Sequence, residues 1–376
     1  AAIVARGNVL VVAGAGTGKT KTLVERCLHC LFEEKPPASL DEILVVTFTD
    51  AAAAEMRQRI RDRLEEELTK RTGDLRWAEQ LALFDTAHLG TLHSFCLRLV
   101  RQHFYELELD PQLTVLAEEE AALRAEETLD ALLKEHYGGQ SANAEAVQQL
   151  IQSQGQGWDR PVRDLVLRLH HYAQTLPDPA GWFASQLSMF GAAEPGQWQR
   201  WLLEAVGGWR NRWLPAVQAE SAGKIPELAA ALNTLPDNPS RAEAAAVLEQ
   251  VQTLQQAQPR GKRSPWPKAL GGVFEEAVFL LSLAKATGQG DPLAEDWSWV
   301  RPSMVALLQL TQEFSGAFSE AKRESGVVDF HDLEQHALRL LWDRVTNQPT
   351  PIARQWRKKI RFVFVDEYQD INGAQD

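Results

Sequence analysis

Only three cysteines, Cys27, Cys30 and Cys96, occur in 376 residues. Three thiols build no disulfide framework and fit a reducing, cytoplasmic setting. Long apolar runs are missing too: none approaches the ~20 residues a membrane helix needs, and no signal-peptide pattern opens the chain. Positive charge is in the minority, with 39 Lys and Arg against 51 Asp and Glu, a net charge of −12 and a pI of about 5.3. That excludes a generic polyanion binder. A nucleic acid would have to be held in a local groove, by stacking and a few directed contacts. No fixed-period repeat is present. The chain lacks an initial Met, starts almost on its first apolar run and stops abruptly, as a trimmed fragment would. With 44% hydrophobic residues, it can form two domains or one domain carrying a large insertion.

What is there begins with "NVLVVAGAGTGKTKTLVERCLHCLF". The run Val9 to Val12 reads as a short buried strand. Ala13, Gly14, Ala15, Gly16, Thr17, Gly18, Lys19 and Thr20 form a small-residue loop. Thr22 to Phe32 reads as a helix with Leu23, Cys27, Cys30 and Leu31 near one face. Strand, glycine-rich loop and helix together make a phosphate cradle, because glycines admit close backbone approach and the amides and helix N-terminus attract an anion. Lys19 would reach the β- and γ-phosphates, and Thr20 would hold Mg²⁺. Ala13 stands where the pattern usually has its first glycine, which keeps a small residue. The bland alternative is a glycine-rich turn with no ligand. Cys27 and Cys30 form a C-x-x-C one helical turn apart with no second pair elsewhere, which reads as two small buried residues rather than a zinc or redox site.

A P-loop NTPase needs a second strand ending in an acid that holds Mg²⁺, with a neighbouring carboxylate to polarise the attacking water. "FVFVDE" supplies both as Asp366 and Glu367. An acidic turn after a core strand is the competing reading. Lys19 and Asp366 stand almost a full chain apart, whereas a nucleotide core needs only about 100 to 200 residues, so something large is inserted between them. The early part still looks like core: "EILVVTFT" (Glu42 to Thr49) is a buried-strand run, "AHLGTLHSF" (Ala87 to Phe95) a weaker strand candidate, and Ala51 to Lys70 and Leu75 to Phe84 read as helices. Strands alternating with helices imply a parallel sheet covered on both faces. The predicted fold class is therefore α/β, a P-loop NTPase sheet with a large, mostly helical insertion. The predicted boundaries are 1–116 for the first part of the sheet domain, 117–325 for the insertion and 326–376 for the return. Trp198 with Trp201 and Trp209 with Trp213 stand at helical spacings within the insertion, a pattern of core packing more than of base stacking.

"AGAGTGKT", "VVTFTDAAAAEM", "GTLHSF", "VVDFHDL" and "FVFVDEYQD" occur in the order seen in the UvrD-like superfamily 1 DNA helicases, which the chain resembles over nearly its whole length. "LELDPQLTVLAEEEAALRAEETLDALL" and "YAQTLPDPAGWF" resemble the AddA branch of that family, bacterial helicase–nucleases of double-strand-break repair. The resemblance implies a RecA-like motor domain that uses ATP and Mg²⁺ to move along single-stranded DNA, three-prime to five-prime, with an AddB-like partner. It places Lys19, Thr20 and Lys21 at the nucleotide, with Asp366 on Mg²⁺, Glu367 as catalytic base and Gln369 as a link between nucleotide state and DNA. Thr47, Phe48, Thr49, Thr91, His93 and Ser94 fall where the family meets single-stranded DNA. Asp50 and Ala51 replace a common Asn-Lys pair there, which removes phosphate contacts. It also implies a second RecA-like lobe supplying transition-state arginines and a nuclease domain. A piece without them would bind nucleotide and DNA with slow turnover or none, and that module or scaffold is the alternative to a working motor.

Several of these residues carry two readings. Phe48 at a strand end can stack on a base or simply be buried. His93 can contact DNA or be a satisfied structural histidine. Asp329 in "VVDFHDL" is accounted for by a helix N-cap. The loop "PRGKRSPWPK", with Trp266 among Arg260, Lys262, Arg263 and Lys268, can touch phosphates and a base, or be a solvated loop.

Overall fold

The alternation of apolar and amphipathic runs in the sequence becomes alternation of strands and helices in a computed structural model that describes residues 2–12, 14, 17–71, 73–139, 141–220, 226–257, 270–285 and 290–376. In chain order these are α1 (Lys19–Phe32), β1 (Ile43–Thr47), α2 (Asp50–Lys70), α3 (Leu75–Leu83), β2 (His88–Thr91), α4 (Leu92–Gln102) and β3 (Thr114–Val115). A run of helices follows: α5 (Glu118–Tyr137), α6 (Ala144–Gly155), α7 (Arg160–Gln174), α8 (Pro179–Gly191), α9 (Gly196–Glu220), α10 (Pro226–Thr234), α11 (Arg241–Gln256), α12 (Gly271–Ala284) and α13 (Pro292–Glu324). The chain closes with β4 (Val327–Val328), α14 (Phe330–Leu341), β5 (Trp342–Asp343), β6 (Gln348–Pro349), α15 (Pro351–Lys359) and β7 (Phe362–Val365). By contact density the chain divides into two units: Ala1–Leu133, Leu167–Trp182 and Glu313–Asp376 form one, Lys134–Val166 and Phe183–Gln312 the other.

The first unit is built on a three-stranded sheet of order β2-β1-β7, with both pairings parallel. β1 lies in the middle, and Ile43 and Val45 are fully buried there. A parallel sheet needs helical crossovers, and α1, α2 and α3 supply the apolar side chains for one. Cys27, Leu28, Leu31, Met56, Ile60, Leu64, Trp77 and Phe84 close into a single cluster with β1. Cys27 and Cys30 are free, fully buried thiols in that cluster, and burial pushes Cys27 up to about 12. Among the described residues no His, Cys, Asp and Glu group has the makings of a multi-ligand metal site. A second cluster packs α4 on α14 through Cys96, Leu99 and Val100 against Leu333, Ala337 and Leu340.

Two strand expectations are corrected. Val9 to Val12 is not a strand: its residues are exposed, up to 86% at Val12. A strand exists only through its ladder of hydrogen bonds, and among the described residues β7 is paired on one side only, by β1, so an apolar run by itself was insufficient. The candidate strand Ala87 to Phe95 splits, because β2 stops at Thr91 and Leu92 onward is α4. The physical reason is a cap: Thr91 Oγ1 accepts the backbone N–H of Ser94 and starts the helix there. α1 likewise starts earlier than the hydrophobic pattern indicates, at Lys19, because Gly18 turns the chain into it with φ 90°.

In the second unit Trp209 is 2% exposed, donates its indole N–H to the carbonyl of Val273 at 3.2 Å, and packs with Val206, Val247, Phe274 and Ala277. Trp198 and Trp213 lean on the same cluster, while Trp201 is half exposed. Arg241 clamps Asp291 with both terminal nitrogens and also donates to the carbonyls of Leu283 and Ala284. No helix among the described residues is long and apolar enough to cross a membrane.

Candidate nucleotide site and its polar surroundings

Every strand of the main sheet hands over to its next segment at its C-terminal end, the edge where open parallel sheets gather ligands. β1 passes through half-buried Phe48 to Thr49, whose Oγ1 accepts the N–H of Ala52 and caps α2. β2 ends on Thr91, the cap of α4. β7 runs into Asp366 and Glu367. Asp366 is held by its own backbone, whose N–H donates to the carbonyl of Val46 on β1 at 3.0 Å, and its side chain is buried.

Lys19 and Thr20 open α1 beside this edge. Lys19 Nζ lies 3.2 Å from Glu367 Oε2, and Thr20 Oγ1 donates to Asp366 Oδ2 at 3.3 Å. Two adjacent residues of the glycine loop thus meet two adjacent residues after β7, across a sequence separation of 346 to 348 positions. Gly18 makes this possible: its positive φ is a conformation that any side chain would strain. Thr17 Oγ1 closes the loop's turn by donating to the carbonyl of Gly14 at 2.6 Å, and Lys21 is exposed beside it. Ala13, Ala15 and Gly16 lie outside the described residues, as does the basic loop 259–268. A hydroxyl and one carboxylate converging beside an ammonium suit Mg²⁺, which takes one or two protein oxygens and fills the rest of its octahedron with phosphates and water.

Glu367 has φ 53°, a left-handed conformation unusual for a residue with a side chain. Such strain persists where surrounding contacts over-determine it, and here the carboxylate is gripped from two sides. The amide of Gln369 donates to Oε2, and Lys19 reaches the same oxygen. These two contacts, the Gln369 hydrogen bond first, hold Glu367 below the usual carboxylate range.

The remaining sequence-predicted positions fall into three kinds. Thr47 and Thr91 are buried, at 3% and 7% exposure. Thr49, though exposed, is spent like Thr91 on capping. Ser94 is exposed and donates to the carbonyl of Thr91 at 2.7 Å. His93 is neither free nor buried: its Nε2 meets Glu334 Oε1 at 2.8 Å, and its ring lies 4.7 Å from that of Phe330, which is 43% exposed.

Glu334 was not singled out by the sequence, yet it is the junction of this region. Only 4% exposed, its carboxylate accepts from His93, from Gln375 Nε2 at 2.6 Å and from Asn372 Nδ2 at 3.5 Å. Burial alone would raise its pKa, but the imidazole of His331, 4.0 Å away, and the hydrogen bonds from His93 and Gln375 outweigh burial and bring it down to about 2. The signal in the sequence is an acid inside the apolar stripe of α14, between Leu333 and Ala337. Nearby, Asp329 caps α14 in a reciprocal box with Asp332, and buried Lys322 sits 2.6 Å from both carboxylates.

Comparison with known proteins gives one consistent result. The description of the UvrD/REP helicase N-terminal domain matches residues 1–376. The chain is 31% identical over 413 residues to the AddA protein of the ATP-dependent helicase/nuclease of Bacillus cytotoxicus, and 32% identical over 411 residues to the protein of the same name from Bacillus licheniformis. In each case the match covers 100% of this chain and 32% of the relative, so the chain spans about a third of the length of these curated relatives.

Proposed function

We propose, from the premise that the chain belongs to the UvrD/REP helicase N-terminal-domain family, that it forms the ATP site and part of the DNA path of a motor. This motor would hydrolyse ATP to move along single-stranded DNA, three-prime to five-prime, and part duplex ends in double-strand-break repair. The observation that carries this reading is the closure of Lys19 on Glu367 and Thr20 on Asp366, which assembles a phosphate loop and two carboxylates from opposite ends of the chain. In this reading the loop residues Gly14, Thr17 and Gly18, with Ala13, Ala15 and Gly16, cradle the phosphates, and Lys21 stands at the edge of the nucleotide. Mg²⁺ bound by Thr20 and Asp366 would supply charge neutralisation at the β- and γ-oxygens. Lys19 would exchange Glu367 for the polyphosphate, a stronger anionic partner. That exchange frees one of the two contacts on Glu367, leaving a carboxylate still held by Gln369 and open to orient the attacking water. Gln369, still bonded to Glu367, reports that change to the segment that follows it.

His93, Ser94 and Phe48 would face the DNA; Thr47, Thr49 and Thr91 serve it by shaping the turns. Nuclease activity, in the name of the relatives, and pairing with an AddB-like partner are assigned to the full-length polypeptide, in the cytoplasm. The test is ATP hydrolysis and strand separation by that polypeptide. Single-stranded DNA should stimulate hydrolysis, and Lys19→Ala should abolish both activities without lowering the melting temperature. Normal unwinding by Lys19→Ala would overturn the site assignment.

A further inference from the structure

Between Arg354 and Arg361 the chain carries five basic residues and no acid, "RQWRKKIR", in a molecule of net charge −12. Helix α15 sorts them. Arg361 lies just beyond the helix end; within the helix Ala353 is buried and Ile352 and Trp356 are partly buried, while Arg354, Arg357 and Lys358 recur at i, i+3 and i+4 and are all exposed. That spacing places them on one outward face, about one helical turn (~5.4 Å) apart. Arg361 is spoken for, by Glu42 and the carbonyls of Pro36 and Pro37, and Lys359 rests over the Trp356 ring. Among the described residues no ion pair or side-chain hydrogen bond engages Arg354, Arg357 or Lys358. Elsewhere in this unit surface arginines are routinely paired, as Arg59 is with Glu55, Arg61 with Asp85 and Arg63 with Glu66.

The face continues into a cleft of about 610 Å³ at the start of α15, lined by Arg339, Trp342, Asp343, Arg344, Thr346 and Arg354. Arg344 is fixed in place by Asp178, the carbonyl of Pro177 and Gln335, and Asp343 is occupied by the turn it makes with Val345 and Thr346. Arg339 and Arg354 have no acidic partner among the described residues, and Trp342 is 41% exposed. Preplaced guanidinium groups beside an exposed indole suit a phosphate with a planar ring attached.

We propose that the outward face of α15 and the arginine-lined cleft at its start form a second, sequence-independent track for the phosphates of DNA, built from residues outside the nucleotide and strand-end sites. The inference rests on the DNA-motor reading and extends it. A row of unpaired cations matches a polyanion bearing a charge every ~3.4 Å per strand. The acidic balance of the whole chain makes the row a local exception and not a general means of solubility.

The test is the salt dependence of DNA affinity in the full-length polypeptide, wild type against the triple variant Arg354→Ala, Arg357→Ala, Lys358→Ala, with a fluorescent mixed-sequence oligonucleotide. Each lost phosphate contact removes ~0.7 from the slope of log affinity against log salt for single strands and ~0.9 for duplex. Three contacts therefore lower the slope by about 2 or about 2.7, and the pair of slopes tells which form of DNA lies on the track. The ratio of wild-type to variant affinity for single strands should shrink about 20-fold between roughly 50 and 200 mM salt. Arg354→Lys with Arg357→Lys should restore the slope. Wild type that binds DNA with a slope the triple variant leaves unchanged overturns the track alone. Loss of poly-glutamate binding with DNA binding intact would assign the surface to an acidic protein and overturn it as well. Wild type without DNA affinity overturns both the track and the motor reading.

Discussion

Replacing Glu334 with Gln removes one charge at the point where His93, Gln375 and Asn372 converge. The side chain keeps its shape, so packing is little changed, but the amide nitrogen now faces a donor. The ordinary glutamate value of 4.5 falls to about 2 in the fold. Because the folded value is the lower one, its stabilisation is fully present above the unfolded value and is lost as pH falls toward the folded value. A gap of that size corresponds to about 3 kcal/mol at neutral pH, of which about 1.4 kcal/mol is gone by pH 3.5. Urea unfolding of wild type and Glu334→Gln should be followed from pH 7 to pH 3.5 with a probe in the first unit. The difference between them should be flat above about pH 5.5 and narrow by about 1.4 kcal/mol at the acid end. Parallel curves over the whole range would show that the hydrogen-bonded carboxylate contributes nothing specific, and would refute the reasoning.

Other consequences follow from buried charge and packing. Lys322→Ala leaves Asp329 and Asp332 facing each other without their cation and should cost about 3–5 kcal/mol in denaturant unfolding; a cost below about 1 kcal/mol would mean that the two acids are already solvated or protonated. Trp209→Ala, in the second unit, should cost about 3–5 kcal/mol and leave ATP affinity unchanged. The same variant with weakened ATP binding would contradict a nucleotide site confined to the first unit.

What the sequence made legible follows the physics of period and pattern. The apolar run of β1 and the helices α2 and α3 are where hydrophobic spacing puts them, because burial decides those elements locally; β7 also follows its apolar run, but it is held by its pairing with β1 and Val363 is 58% exposed. The pairing of Lys19 and Thr20 with Glu367 and Asp366 was legible as chemistry, since a phosphate loop needs an acid to complete it. The strand expected at Val9 to Val12 was not realised, because pairing partners leave no trace in a single run of residues. Leu92 to Phe95 was misread as strand because the cap at Thr91 competes with the apolar run and wins. Glu334 was invisible for a related reason: its importance lies in residues from two other segments that fold against it, and only its odd position on the apolar stripe of α14 hinted at it. Phe330, which follows the capping Asp329, brings its ring against His93, a contact between segments that no local pattern announces.

The central claim is that Glu367 acts on water at a nucleotide held by Lys19 and Thr20. The direct measurement is single-turnover ATP hydrolysis by Glu367→Gln in the presence of single-stranded DNA, alongside ATP affinity by a fluorescent analogue. The account predicts near-normal binding with hydrolysis reduced by about 10² to 10⁴, the range of a lost general base. Hydrolysis at the wild-type rate, or binding lost together with it, would contradict the account.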